Sequence, residues 1–184
     1  MRTVPQQTAV FRILSTVLLL LAGASHVLQA AELPRAAGSL EVRTWEGEQW
    51  RLDQLKGKVV VVMFMSTSCP SCHAATQALK AIYEESKQRG LEVIGIATNR
   101  QAETEMRSFV QRFEPNFPVT VGTRALWAQF GGFSVMARPP FYPHMLIVDR
   151  SGTIREEHTG KERNYYSYTN LRRLLEKYLQ EPAS

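Results

Sequence analysis

Seven consecutive apolar residues, Val59-Val60-Val61-Val62-Met63-Phe64-Met65, carry no charge and end four positions before a cysteine. The run opens with four β-branched valines and offers no polar face. It therefore reads as a strand covered on both sides, as in the middle of a sheet flanked by helices. Ser66-Thr67-Ser68-Cys69-Pro70 follow at once, and these are residues that start helices. Ala75, Ala78, Leu79, Ile82 and Tyr83 then recur at helical spacing until Gly90. A buried strand thus feeds directly into a helix whose first turn holds Cys69 and Cys72.

The remaining chain extends this unit. Glu41–Trp45 and Trp50–Leu52, separated by Glu46-Gly47-Glu48, suggest a short hairpin. Leu91–Ala97 reads as a second central strand. Met106, Phe109, Val110 and Phe113 mark one face of a helix ended by Pro115. Phe117–Val121 follows as a short strand and Arg124–Phe130 as a short helix closed by Gly131-Gly132. After a long loop to Pro143, Met145–Asp149 and Thr153–Glu157 form two strands around the turn Arg150-Ser151-Gly152. Leu171, Leu174, Leu175, Tyr178 and Leu179 give the last helix its apolar stripe. A closing hairpin adds antiparallel strands to a parallel β-α-β core, so the expectation is an α/β fold, a mixed central sheet with helices on both faces.

Residues 1–30 read differently. Arg2 and Arg12 are their only Lys, Arg, Asp or Glu side chains, the apolar run Ile13–Ala22 follows, and small residues lead to exits after Ala24 or Ala30. That is the pattern of a secretory signal. The competing reading is an uncleaved anchor over residues 11–28, marginal against the roughly 20 apolar residues of a span. Either sends the folded part across a membrane, so the expected location is the periplasm or an equivalent compartment, secreted or anchored to the inner membrane. Residues 31–40 read as a linker and 41–181 as one domain. Removing residues 1–30 lowers the formal charge from +5 to +3, and no block of Lys and Arg interleaves with aromatics, so nucleic acid is not an expected partner.

The chain has two cysteines, Cys69 and Cys72. A bridge over so short a loop adds little to stability, and one pair supplies only half of a tetrahedral zinc site, so redox chemistry is the stronger reading. At a helix cap, the first sulfur meets unpaired backbone N–H groups and the positive helix end, which stabilise a thiolate. Cys69 is the expected nucleophile. Cys72, one turn deeper, is the expected resolving thiol that attacks the mixed disulfide. No cofactor or metal is expected.

Leu55–Phe64, Ser68-Cys69-Pro70-Ser71-Cys72 and Pro143–Gly152 together resemble the thioredoxin-like thiol–disulfide oxidoreductases of the bacterial cell envelope, the cytochrome c maturation type within the thioredoxin/peroxiredoxin-like superfamily. The likeness spans about residues 38–180. It implies a thioredoxin-like fold with an N-terminal hairpin and an inserted α-β unit over Arg100–Val121. It also implies a cis Tyr142–Pro143 bond opposite the cysteines, with Ser68, Pro70, Phe141, Tyr142 and Pro143 facing substrate. The implied partners are protein thiols or disulfides, plus a membrane or periplasmic redox protein that resets the pair. The membrane itself is a partner only if residues 11–28 stay uncleaved.

The chain departs from the family at three positions. Ser68 replaces the Trp before the first cysteine, Met63 replaces the buried acid six residues before it, and Ala75 replaces the glutamate three residues after the second. Two candidate proton acceptors are absent. His73 is the nearest titratable group in sequence, either tuning the pair or lying solvated on the helix. Twelve positions separate Gly131 from Pro143. Met136, Arg138, Phe141 and Tyr142 in that stretch could form a recognition surface, or the aromatics could cover the core.

Other chemistries fit parts of the pattern. Cys69-Pro70-Ser71-Cys72-His73 matches the haem c motif, but a valine-rich strand leading into it argues against a cytochrome. A thiol peroxidase would need a Thr three residues before the reactive cysteine and a proline upstream. Here Ser66 stands at that place and Val59–Met65 has no proline. A non-catalytic module could hold a client or Cu(I) on the two thiolates, with His144 approaching from across the fold.

Overall fold

The computed structural model describes residues 32–162 and 164–182. The signal or anchor reading lies outside them. Among the described residues no helix is long and apolar enough to cross a membrane.

In chain order the elements are β1 (Arg35–Ala36), β2 (Glu41–Arg43), β3 (Gln49–Arg51), β4 (Val59–Met65), α1 (Pro70–Ser86), β5 (Leu91–Ala97), α2 (Ala102–Phe113), β6 (Val119–Val121), α3 (Arg124–Gly131), β7 (His144–Val148), β8 (Thr153–His158) and α4 (Tyr168–Leu179). Short 3-10 turns cover Leu52–Leu55 and Lys87–Arg89. The main sheet has the order β1-β8-β7-β4-β5-β6. β5 and β6 run parallel to β4, β7 runs antiparallel to β4, and β8 runs antiparallel to β7. This is the mixed sheet of a thioredoxin-like fold, with α2 and β6 forming the inserted unit on one edge.

The valine run is the axis of the molecule. All seven residues of β4 are buried. Because side chains alternate along a strand, Val59, Val61, Met63 and Met65 enter one core with Cys72, Leu79, Met106, Phe109, Leu171 and Leu175. Val60, Val62 and Phe64 enter the other with Trp50, Trp127 and Phe130. Helices α1, α2 and α4 thus cover one face, and α3 with the hairpin covers the other. Each layer holds many large apolar side chains, each contributing about 1.5–3 kcal/mol when buried from water.

Two elements differ from expectation. Residues 31–40, read as a linker, contain β1, whose Arg35 and Ala36 pair with Ile154 and Thr153 on the sheet edge. Two paired residues make no pattern of alternation, which is why the strand leaves no trace in the sequence. The hairpin β2–β3 is shorter than expected and forms its own two-stranded sheet. Trp45 leaves the strand; its N–H donates to the Val119 carbonyl at 2.7 Å, and Thr120 Oγ1 donates to the Arg43 carbonyl at 2.6 Å. These bonds fasten the hairpin beside β6.

Between β7 and β8, Asp149 Oδ1 accepts from the N–H groups of Ser151 and Thr153 at 2.9 and 3.1 Å, and from Ser151 Oγ at 2.6 Å. Gly152 takes a φ of 86°, a left-handed conformation that glycine adopts without a Cβ penalty. This turn joins β7 to β8, and on its other side β7 pairs with β4, Met145 opposite Met63.

Candidate active site

Cys69 is the N-cap of α1 and Pro70 its first residue. The strand delivers the sulfur to the helix end, and Pro70 costs nothing there because its missing N–H would have been unpaired anyway. Cys69 Sγ accepts from the Cys72 N–H at 3.4 Å and lies 3.1 Å from Ser71 Oγ. Cys69 is partly exposed, whereas Cys72 is fully buried; both are free thiols. Ser68 and Pro70, on either side of Cys69 in sequence, are exposed.

The two sulfurs have opposite electrostatics. The Cys72 thiol hydrogen-bonds to Cys69 and lowers its pKa to about 5; partial burial works against this, and the Ser71 hydroxyl and the N–H groups of Cys72 and Ser71 add to it. The same contact with Cys69, together with burial, pushes the Cys72 thiol up, against a lowering by the Ser66 backbone. Near neutral pH the pair holds one proton, and it resides on Cys72. One partly exposed thiolate beside one buried thiol is the arrangement that attack followed by resolution requires.

Three residues behind this loop carry no chemistry of their own and were not singled out from the sequence. The Thr67 N–H donates to Asn99 Oδ1 at 3.1 Å, and Asn99 Nδ2 donates to Thr67 Oγ1 at 2.9 Å. The Thr67 hydroxyl in turn donates to Glu105. The Thr67 carbonyl accepts from His73 Nε2 at 2.6 Å, and the His73 ring stacks on Phe113 with centroids 4.3 Å apart. Both ends of Thr67 are therefore tied, to the loop after β5 and to α1. His73 is occupied as a brace of that loop, neither freely solvated nor turned to the sulfurs.

Tyr142 and Pro143 supply the opposite wall. The peptide bond between them is cis. Pro143 is buried and Tyr142 half-buried, close enough to the pair to feel the charge of both sulfurs. Burial pushes the Tyr142 phenol up, against its bond to Thr98, so it stays neutral. Its hydroxyl lies 2.8 Å from Thr98 Oγ1, and its ring stacks on Trp127 at 4.8 Å and 17°. Gly160 packs beneath: its N–H donates to the Phe141 carbonyl at 3.0 Å, and a Cβ there would lie 1.9 Å from the Tyr142 carbonyl oxygen. Among the described residues no backbone acceptor takes the Tyr142 N–H.

His144 does not approach the cysteines. It alternates with Met145 along β7 and so points into the layer of Phe64 and Trp127 instead of that of Cys72. Its Nδ1 accepts from Trp127 Nε1 at 2.7 Å, which leaves Nε2 to donate to Glu157 Oε1 at 2.9 Å. With both nitrogens engaged and the ring fully buried, the competing Cu(I) reading through His144 does not hold. Ser66 is likewise a poor peroxide group: it is buried and its hydroxyl pairs with Ser68 Oγ at 3.2 Å. The long loop divides its aromatics. Phe133 packs edge-on against Trp127 at 5.4 Å, while Phe141 stays 44% exposed.

The sequence model of the AhpC/TSA family matches residues 33–157. A thiol-disulfide oxidoreductase ResA of Bacillus cereus is 26% identical over 152 residues, covering 82% of this chain and 78% of its own. A second ResA, from Halalkalibacterium halodurans, is 30% identical over 119 residues, covering 62% of this chain and 61% of its own. Among solved structures, a thioredoxin-family thiol:disulfide interchange protein of Chlorobium tepidum superimposes with a TM-score of 0.68 at 24% identity, over 82% of this chain and 99% of its own.

Proposed function

Since the chain belongs to the AhpC/TSA family, and within it to the thioredoxin-like extracytoplasmic thiol–disulfide oxidoreductases, we propose that it exchanges disulfides with protein clients outside the cytoplasm, cytochrome c maturation being the process that the family resemblance implies. The observation that carries this reading is the asymmetry of the pair: a partly exposed Cys69 with its pKa lowered to about 5 and a fully buried Cys72 pushed up.

The geometry supports the following sequence of steps. A client disulfide lies across Ser68, Pro70 and Phe141, with its backbone along Tyr142–Pro143. The Cys69 thiolate attacks one client sulfur, the client S–S bond breaks, and the first client thiolate leaves. Cys72 then attacks Cys69 Sγ, forming the intramolecular disulfide and expelling the second client thiolate. The proton of Cys72 passes to one departing thiolate and the other takes a proton from water, so one client disulfide becomes two client thiols as the thiolate–thiol pair becomes a disulfide. In reverse, the oxidised pair accepts electrons from a client dithiol. A membrane or periplasmic redox protein resets the pair in either direction.

Trapping tests the reading. A Cys72→Ser protein is expected to accumulate a covalent mixed disulfide with a disulfide-bonded protein, releasable by dithiothreitol, because nothing remains to resolve it. Cys69→Ser is expected to accumulate none. Equal trapping by the two variants would refute the assignment of roles. Steady peroxide consumption by the wild-type protein, lost in Cys69→Ser, would favour a peroxidase.

A further inference from the structure

We infer that the loop 133–142, together with Lys161, is a recognition platform that selects clients carrying acidic side chains next to their reactive cysteine. This rests on the exchange chemistry proposed above and names the class of protein it serves.

The loop is a built feature. Phe133 anchors it on Trp127, and Arg124 Nε donates to the Val135 carbonyl at 2.9 Å while its Nη2 donates to Ala137. A turn closes between the Ala137 N–H and the Ser134 carbonyl at 2.9 Å. This scaffold presents Val135 and Met136 to solvent, 46% and 89% exposed, and Phe141, further along the same loop, is exposed as well. Large apolar side chains held outward by a braced backbone suit contact with another chain.

Charge decides which kind of chain. Arg138 lies over the Phe141 ring at 5.6 Å and Lys161 Nζ at 4.9 Å, so the aromatic is flanked by two cations. No Asp or Glu occurs from Pro115 to Val148. Among the described residues neither Arg138 nor Lys161 has a carboxylate partner, and Arg124 pairs only with backbone carbonyls. Glu162, adjacent to Lys161 in sequence, and Glu105, behind the cysteine loop, are already engaged. Glu162 binds His158 Nδ1 at 2.6 Å and the Thr159 N–H at 2.9 Å, and Glu105 holds Thr67 and Asn99. Phe141 adjoins Tyr142, so a carboxylate bound between these cations belongs to a residue close to the client's sulfur. The complementary ligand is an acidic segment with an apolar side chain for Met136 and Phe141. Opposite charges at such a rim act mainly on the rate of encounter.

The test compares two cysteine peptides as symmetric disulfide dimers, one with glutamates and one with lysines beside the cysteine, each reduced in single turnover by the dithiol protein. At low ionic strength the acidic dimer should react roughly tenfold faster than the basic one. High salt should shrink the gap, and Arg138→Glu with Lys161→Glu should reverse the order. Equal wild-type rates, or a preference that survives the double charge reversal, would overturn the proposal while leaving the exchange reading intact. Reaction with neither dimer would overturn both. Salt-sensitive binding to anionic lipid vesicles through the same two residues, with no preference between peptides, would overturn it by assigning the surface to a membrane.

Discussion

At the scale of single residues, the site depends on how one proton is divided between two sulfurs. Cys69 keeps its charge through the Cys72 thiol, the Ser71 hydroxyl and two backbone N–H groups. Of these, the Ser71 hydroxyl can be removed without disturbing the helix, since it lies partly exposed in the first turn of α1 and the backbone N–H groups remain. A hydrogen bond to a charged group contributes about 1.5–3 kcal/mol when shielded, and less at a site open to water. Ser71→Ala should therefore raise the pH midpoint of Cys69 alkylation by up to about one unit, with little change in thermal stability. An unchanged midpoint would mean that the hydroxyl does not serve the thiolate. Met63 and Ala75 supply no acid near Cys72, and among the described residues no carboxylate acts on it. In this chain the departing client thiolate is the natural acceptor for the Cys72 proton.

Among the elements, the two walls of the site are set from behind. Thr67 is tied to the loop after β5, and Tyr142 is stacked on α3 and packed over Gly160 after β8. Gly160→Ala places a methyl group in the space of the Tyr142 carbonyl, and relief requires backbone movement. The variant should lose about 1–3 kcal/mol of stability, the usual cost of overpacking. It should also slow exchange with a protein disulfide more than alkylation of Cys69 by a small reagent, because only the former uses the Tyr142 wall. Equal effects on both reactions would indicate general loosening. The cysteine turn was legible because a valine run, a Pro at the first helical position and the cysteine spacing are all local. The braces were not: Thr67 meets Asn99 and Glu105 across 32 and 38 residues, and nothing in a linear pattern pairs them. The orientation of His144 was legible in principle. It alternates with Met145 and Ile147, whose layer is that of the cysteines, and parity alone turns it away.

For the molecule as a whole, the Cys69 thiolate is a product of folding, since its stabilising partners are brought together only in the native state. A pKa held near 5 in the fold, against about 8.5 in an unfolded chain, stabilises the reduced native protein. That contribution is complete above the unfolded value and is lost as pH falls through the folded one. Denaturation of reduced and oxidised protein over pH 4 to 9 should show the reduced form gaining on the oxidised form as pH rises, most steeply between about 5 and 8.5. A difference independent of pH would exclude a native-state thiolate. The core that carries this is the double layer about β4, which is why a run of seven apolar residues led so directly to the fold, whereas the two-residue strand β1 had to be seen. The most direct measurement is the rate of iodoacetamide alkylation of the reduced protein against pH, with the modified cysteine identified by mass. A single ionisation near about 5, with label on Cys69 and none on Cys72, is the expected result. A midpoint near that of an ordinary thiol, about 8.5, or first modification at Cys72, would contradict it.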